Sequence, residues 1–120
     1  MKILIADDSR VMRQIVIRTL RQAGFDDHEI VEAEDGADAL AKVGSEKPDL
    51  VLSDWNMPNM TGIECLQALR SSGSSVPFGF VTSEGSPEMR EKAANAGALF
   101  LIAKPFNEDT FADALSGVIA

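Results

Sequence analysis

The stretch Leu50-Val51-Leu52-Ser53-Asp54-Trp55-Asn56-Met57-Pro58 is a short apolar run that stops at an acid and passes into a proline-marked turn. Four such residues are too few for a core helix, and the run is bounded as a buried strand is bounded. Working outward from it, the same pattern recurs. Ile3 to Ala6 runs into Asp7-Asp8, Ile30 to Ala33 leads to Asp35-Gly36, Phe78 to Thr82 ends on a hydroxyl, and Leu99 to Ala103 runs into Lys104-Pro105. The segments between these runs are long enough to cross over a sheet as helices, so the chain predicts an α/β fold with a parallel sheet.

The helical segments carry their own punctuation. Met12, Ile15, Val16, Thr19, Leu20 and Ala23 follow a 3.6-residue period, and Gly24 stands where a C-terminal cap belongs. Asp35-Gly36 and Thr61-Gly62 mark entry into the second and third helices, and Ser86-Pro87 is an N-cap followed by a proline that needs no backbone donor. Asn107 opens the last helix, whose apolar positions are Phe111, Leu115, Val118 and Ile119. Cys65 falls on the core side of the third helix with Ile63, Leu66 and Leu69. No repeat, linker or low-complexity tract interrupts residues 1–120, which predicts one domain.

Composition excludes several functions. Lys plus Arg is 11 against 19 for Asp plus Glu, and a net charge of −8 repels a phosphate backbone, so direct nucleic-acid binding is not expected. Apolar runs fall far short of a membrane span and nothing resembles a signal peptide, so a cytoplasmic location is expected. One cysteine and one histidine cannot form an internal disulfide or a Cys/His zinc cage.

Ligands of open parallel sheets bind beyond the carboxyl ends of the strands. Here those ends carry Asp7-Asp8, Asp54, Thr82 and Lys104-Pro105. Any one Asp after a strand is ordinarily a loop or helix cap. Three carboxylates in one crevice instead repel one another unless a cation neutralises them, and Mg²⁺ suits carboxylates that share it with water and phosphate oxygens. Thr82 and Lys104 then serve as donors to an anion beside the metal. Metal, carboxylate and two donors together describe phosphoryl transfer, with a carboxylate as nucleophile.

At these residues the chain resembles the response-regulator receiver family over its whole length. The resemblance rests on Asp7-Asp8-Ser9, Ser53-Asp54-Trp55-Asn56-Met57-Pro58-Asn59-Met60, Val81-Thr82-Ser83-Glu84, Ala96-Gly97-Ala98 and Lys104-Pro105-Phe106. It is similar above all to stand-alone chemotaxis regulators. The resemblance implies a flavodoxin-like (βα)5 doubly wound sheet of strand order 2-1-3-4-5, with Asp54 as phosphoacceptor. It assigns Mg²⁺ to the carboxylates of Asp8 and Asp54, the backbone carbonyl of Asn56 and, through water, Asp7. Thr82 and Lys104 hold the phosphoryl oxygens, the peptide before Pro105 is cis, and Asn56 and Glu84 occupy positions that tune dephosphorylation. The implied partners are a histidine kinase or phosphotransfer protein, a downstream target such as the flagellar motor switch, and a phosphatase, all met by a monomer. A receiver in another phosphorelay, or a degenerate receiver serving only as an interaction domain, is the alternative.

Two positions depart from the family's pattern. Thr61 replaces the usual acidic or amide residue before the third-helix glycine, and Leu101 stands where a switch Tyr or Phe is usual. Phe100 cannot substitute, because neighbouring strand residues point to opposite faces. The phosphoryl group is therefore expected to be reported through the Thr82 hydroxyl and the loop before the fourth helix. The rival classes fit less well. Aspartyl phosphatases carry a second Asp two residues after the nucleophile, where Ser9-Arg10 and Asn56 stand here. An FMN site would need bare amides where the loop is acidic, and no two glycines stand two apart as G-x-G-x-x-G requires. Trp55 reads as a loop aromatic with one face packed, or a partner contact. Arg10, Arg13, Arg18 and Arg21 read as a basic helix face, either solvated or docking an acidic patch of a kinase. His28 falls in a loop with no catalytic role.

Overall fold

The structure is a computed structural model that describes residues 1–118. The chain alternates β1 (Lys2–Ala6), α1 (Arg10–Gln22), β2 (Glu29–Ala33), α2 (Gly36–Glu46), β3 (Leu50–Ser53), α3 (Gly62–Ser71), β4 (Phe78–Thr82), α4 (Pro87–Ala96), β5 (Phe100–Ala103) and α5 (Glu108–Leu115). The strands form one parallel sheet in the order β2-β1-β3-β4-β5, the flavodoxin-like arrangement that the resemblance implies. Strand register pairs Ala6 with Ser53, so the residues after β1 and β3 emerge side by side. Because the chain runs outward from β1 to β2 and then returns to β3, this is also where the winding reverses and a crevice opens.

Alternation along the strands divides the core into two layers. Ile3, Ile5, Leu50 and Leu52 face Val16, Ile17, Leu20, Phe111 and Leu115 of α1 and α5. Leu4, Ala6, Val51, Phe78 and Phe80 face Ala39, Ile63, Cys65, Leu66, Leu69 and Ala93 of α2, α3 and α4. β1, β3 and β4 are almost wholly buried, whereas β2 and β5 form partly open edges.

The expected caps are present. Ser9, Asp35, Thr61, Ser86 and Asn107 each accept a backbone N–H three residues on, and Pro87 begins α4. Gly24 follows α1 with φ +97°, the left-handed conformation that a glycine permits. Thr61 forms a capping box with Glu64, which is how this hydroxyl serves where the family usually has another residue.

Three expectations are corrected. β5 begins at Phe100 and leaves Leu99 exposed. On α1 the buried side includes Ile17, which joins the cluster with Phe111 and Leu115, while Ile15 lies at the exposed rim. Arg13 does not belong with the exposed Arg10, Arg18 and Arg21: its guanidinium turns inward to Glu32 and the Asp7 carbonyl. Ile119, assigned to the last helix from sequence, lies outside the described residues.

Candidate functional site

Asp7, Asp8 and Asp54 meet at the crevice, each offering a carboxylate oxygen, and all three oxygens lie within 4.8 Å of one another. Backbone hydrogen bonds bring them there. The N–H of Asp7 donates to the Ala33 carbonyl at 3.1 Å and that of Asp54 to the Ala6 carbonyl at 2.9 Å, so each residue continues its strand's ladder by one step. The Asp7 carboxylate accepts the Ser9 N–H at 2.9 Å, and the Asp54 carboxylate accepts the Trp55 N–H at 2.8 Å.

Gly62 explains how α3 can start so close to the site. Its N–H donates to the Trp55 carbonyl at 2.8 Å, and a Cβ there would collide with the Asp54 carbonyl oxygen and the Phe80 ring. Asn59, at φ +66°, donates its amide to Asp35 at 2.7 Å and ties the loop after Asp54 to the start of α2. That loop carries Asn56, which is exposed. Trp55 is only 8% exposed, with its ring centroid 4.7 Å from that of Phe80. This is a packed loop aromatic and leaves little surface for a partner.

The Lys104 ammonium reaches Asp7 at 3.5 Å and Asp54 at 3.7 Å, crossing the crevice from the end of β5. The Lys104-Pro105 peptide is cis, as expected. Burial pushes the Asp54 carboxyl above its ordinary range, against the pull of Lys104 and with the help of Asp7. Burial raises Asp7 as well, opposed by the Ser9 N–H and Lys104. The pocket therefore holds more negative charge than Lys104 alone offsets. Its donors are hard carboxylate oxygens close enough to share one ion, which is the chemistry Mg²⁺ requires.

Thr82 ends β4 fully buried, and its hydroxyl accepts a long 3.4 Å hydrogen bond from the Glu84 N–H. Glu84 itself is exposed. Leu101 is half-buried on the α4 side, while the Phe100 ring lies over Gly79 on the opposite side, so the aromatic next door does not replace it. The structure thus gathers Asp7, Asp8, Asp54 and Lys104 directly. It leaves Thr82, Asn56 and Glu84 on adjoining loops and strand ends.

Sequence reasoning missed the residues that hold this arrangement. Arg13 bonds to the Asp7 carbonyl at 2.6 Å, and Arg90 donates to the Gly85 carbonyl at 3.1 Å and to the Leu101 carbonyl at 3.0 Å. The first was legible from its spacing: Arg13 stands four residues before Ile17 and seven before Leu20, on the buried side of α1. The second was not, because its acceptors are backbone oxygens.

A parallel sheet with an acidic crevice at its switch point and a lysine across it defines a class, and the chain belongs to the response regulator receiver domain family, whose model matches residues 3–116. Within that class it resembles chemotaxis proteins. The chemotaxis protein CheY of Pseudomonas aeruginosa is 42% identical over 108 residues, which cover 88% of this chain and 86% of that one. CheY-3 of Vibrio cholerae is 39% identical over 120 residues, covering 98% and 91%. The solved structure of Vibrio cholerae chemotaxis protein CheY4 superposes with a TM-score of 0.84 at 39% identity, covering 98% of each chain. None of the helices among the described residues is long and apolar enough to cross a membrane.

Proposed function

We propose that this chain is a phosphorylation-switched single-domain response regulator, and the observation that carries the reading is the partly buried Asp54 carboxylate facing Lys104 beside two further acids. An Asp54 oxygen attacks the phosphorus of a phosphohistidine on a kinase or phosphotransfer protein. The P–O bond forms, the P–N bond breaks, and the imidazole leaves with a proton from solvent. Water later attacks phosphorus, releasing inorganic phosphate and restoring the carboxylate.

Asp7, Asp8, Asp54 and the Asn56 carbonyl would hold Mg²⁺, which when bound supplies charge neutralisation for the carboxylates and phosphoryl oxygens. Lys104 contributes a second positive charge to the transferring group. Thr82 gives up its long contact with Glu84 and donates its hydroxyl to a phosphoryl oxygen, which draws on the loop before α4. Asn56 and Glu84, exposed at the rim, govern how water reaches the acyl phosphate.

The relatives' names favour chemotaxis, with a cytoplasmic monomer that binds a motor-switch target and is reset by a phosphatase. The chain itself performs only its own phosphorylation and dephosphorylation. The test is incubation of the protein with acetyl phosphate and Mg²⁺, read by intact mass. Gain of one phosphoryl group, lost with a chelator and in Asp54→Ala, is the expected result. A protein that binds Mg²⁺ and never gains the group is a degenerate receiver that works by binding alone.

A further inference from the structure

Asp8 presents its carboxylate to the crevice without help: among the described residues no hydrogen bond or ion pair holds that group. Its direction must come from the backbone. The peptide that joins it to Asp7 is one rigid plane, so whatever fixes the Asp7 carbonyl also fixes the Asp8 nitrogen. Arg13 does this. Its Nη1 donates to the Asp7 carbonyl at 2.6 Å, and its Nε donates to Glu32 Oε1 at 2.9 Å. The Arg13 side chain is 14% exposed and that of Glu32 39%, so this is a charge-assisted fork, sheltered at its guanidinium end, spanning the end of β2 and the loop after β1. On the other side, the Asp7 N–H is bonded to Ala33. Lys42 in turn holds the Glu32 carbonyl at 2.6 Å.

We propose that Arg13 is the positioning residue of the acidic pocket, holding the Asp7-Asp8 peptide so that affinity for a divalent cation depends on a side chain that is not one of its ligands. The inference rests on the phosphoryl-transfer reading above and deepens it. Charge alone predicts the opposite effect. A guanidinium near the crevice repels a divalent cation, so its removal, which also takes the cationic partner from Glu32, strengthens cation binding if Arg13 acts only through its charge. A positioning role weakens binding on the same substitution, and a purely structural role lowers the melting temperature while leaving the affinity of the folded protein unchanged.

The experiment is a Mg²⁺ titration of the full chain, followed by Trp55 fluorescence, in wild type, Arg13→Gln and Arg13→Lys, with folding verified by circular dichroism. The expected result is a dissociation constant raised about tenfold in Arg13→Gln, as when partners that orient metal ligands are removed. Arg13→Lys keeps the charge and loses the fork, and shifts the same way by about threefold. A saturable wild-type response with an unchanged or lower constant in folded Arg13→Gln overturns the inference alone. If that variant does not fold, wild-type affinity in Arg13→Lys overturns it. A wild-type protein with no saturable response overturns the phosphoryl-transfer reading and the inference with it.

Discussion

The two halves of the active face are held in different ways. On the β1–β3 side, Asp7, Asp54 and Gly62 are pinned through their own peptide groups, and both carboxylates accept neighbouring N–H groups. On the β4–β5 side, the Lys104 N–H continues the ladder to Thr82, but the loop that follows Thr82 is held by one 3.4 Å hydrogen bond and by Arg90 reaching back from α4. An open cleft of about 570 Å³ adjoins it, bordered by Arg90, Leu101, Ala103 and Thr110. The first half fixes the proposed nucleophile, Asp54, within reach of charge, which suits chemistry that depends on position. The second has few buried contacts to lose, which suits a segment that moves.

If that contrast is sound, crowding the rigid half should do the most damage. Gly62→Ala forces a Cβ into the Asp54 carbonyl and should cost about 3 kcal/mol, read by urea denaturation, with loss of phosphorylation in whatever fraction still folds. A variant that is folded and fully active would show that the loop yields easily.

The acidity of the pocket gives the next largest effect. Asp54 has its folded pKa raised above the ordinary 3.8 by burial, so the folded state binds the proton more tightly than the unfolded state and stability falls as pH rises through that range. Asp54→Asn removes the ionisation. Without divalent cations it should melt a few degrees above wild type at pH 7, with the gain disappearing below about pH 3.8. Mg²⁺ should then stabilise the wild type more than the variant. Equal melting temperatures at pH 7 would mean that Lys104 fully offsets the charge.

Thr61→Ala removes the capping box of α3 and should cost about 1 kcal/mol in equilibrium unfolding. The smallest effect is expected on the other half. Leu101 borders the open cleft, so Leu101→Tyr should change stability by less than about 1 kcal/mol. Its phosphorylation rate, followed by Trp55 fluorescence, should match wild type, because the residue lies away from the carboxylates. A tyrosine that destabilises strongly would show that the cleft is closed in solution.

Strand ends and caps were legible because they depend on local chemistry: an acid after an apolar run, an oxygen before a helix, a proline at its first position. Asp7, Asp8, Asp54 and Lys104 could be assigned from sequence to the carboxyl ends of strands, and the strand order implied by the resemblance to receivers brings them together. The Arg13 interaction was missed although its spacing from Ile17 and Leu20 points to the buried side of α1, because grouping it with Arg10, Arg18 and Arg21 reads all four as one solvated face. Ile15 and Ile17 exchanged roles for a related reason. They flank the same buried stripe, and only the packing of Ile17 with Phe111 and Leu115 decides which flank is covered. The burial of Trp55 depends on Phe80, 25 residues away in sequence and paired to it only through the sheet.

The most direct test of the account is to find where the phosphoryl group goes. The protein would be treated with acetyl phosphate and Mg²⁺, reduced with borohydride to turn an acyl phosphate into homoserine, and mapped by peptide mass spectrometry. The account predicts homoserine at position 54 and unmodified Asp7 and Asp8. Modification at Asp7 or Asp8, with Asp54 intact, would contradict it.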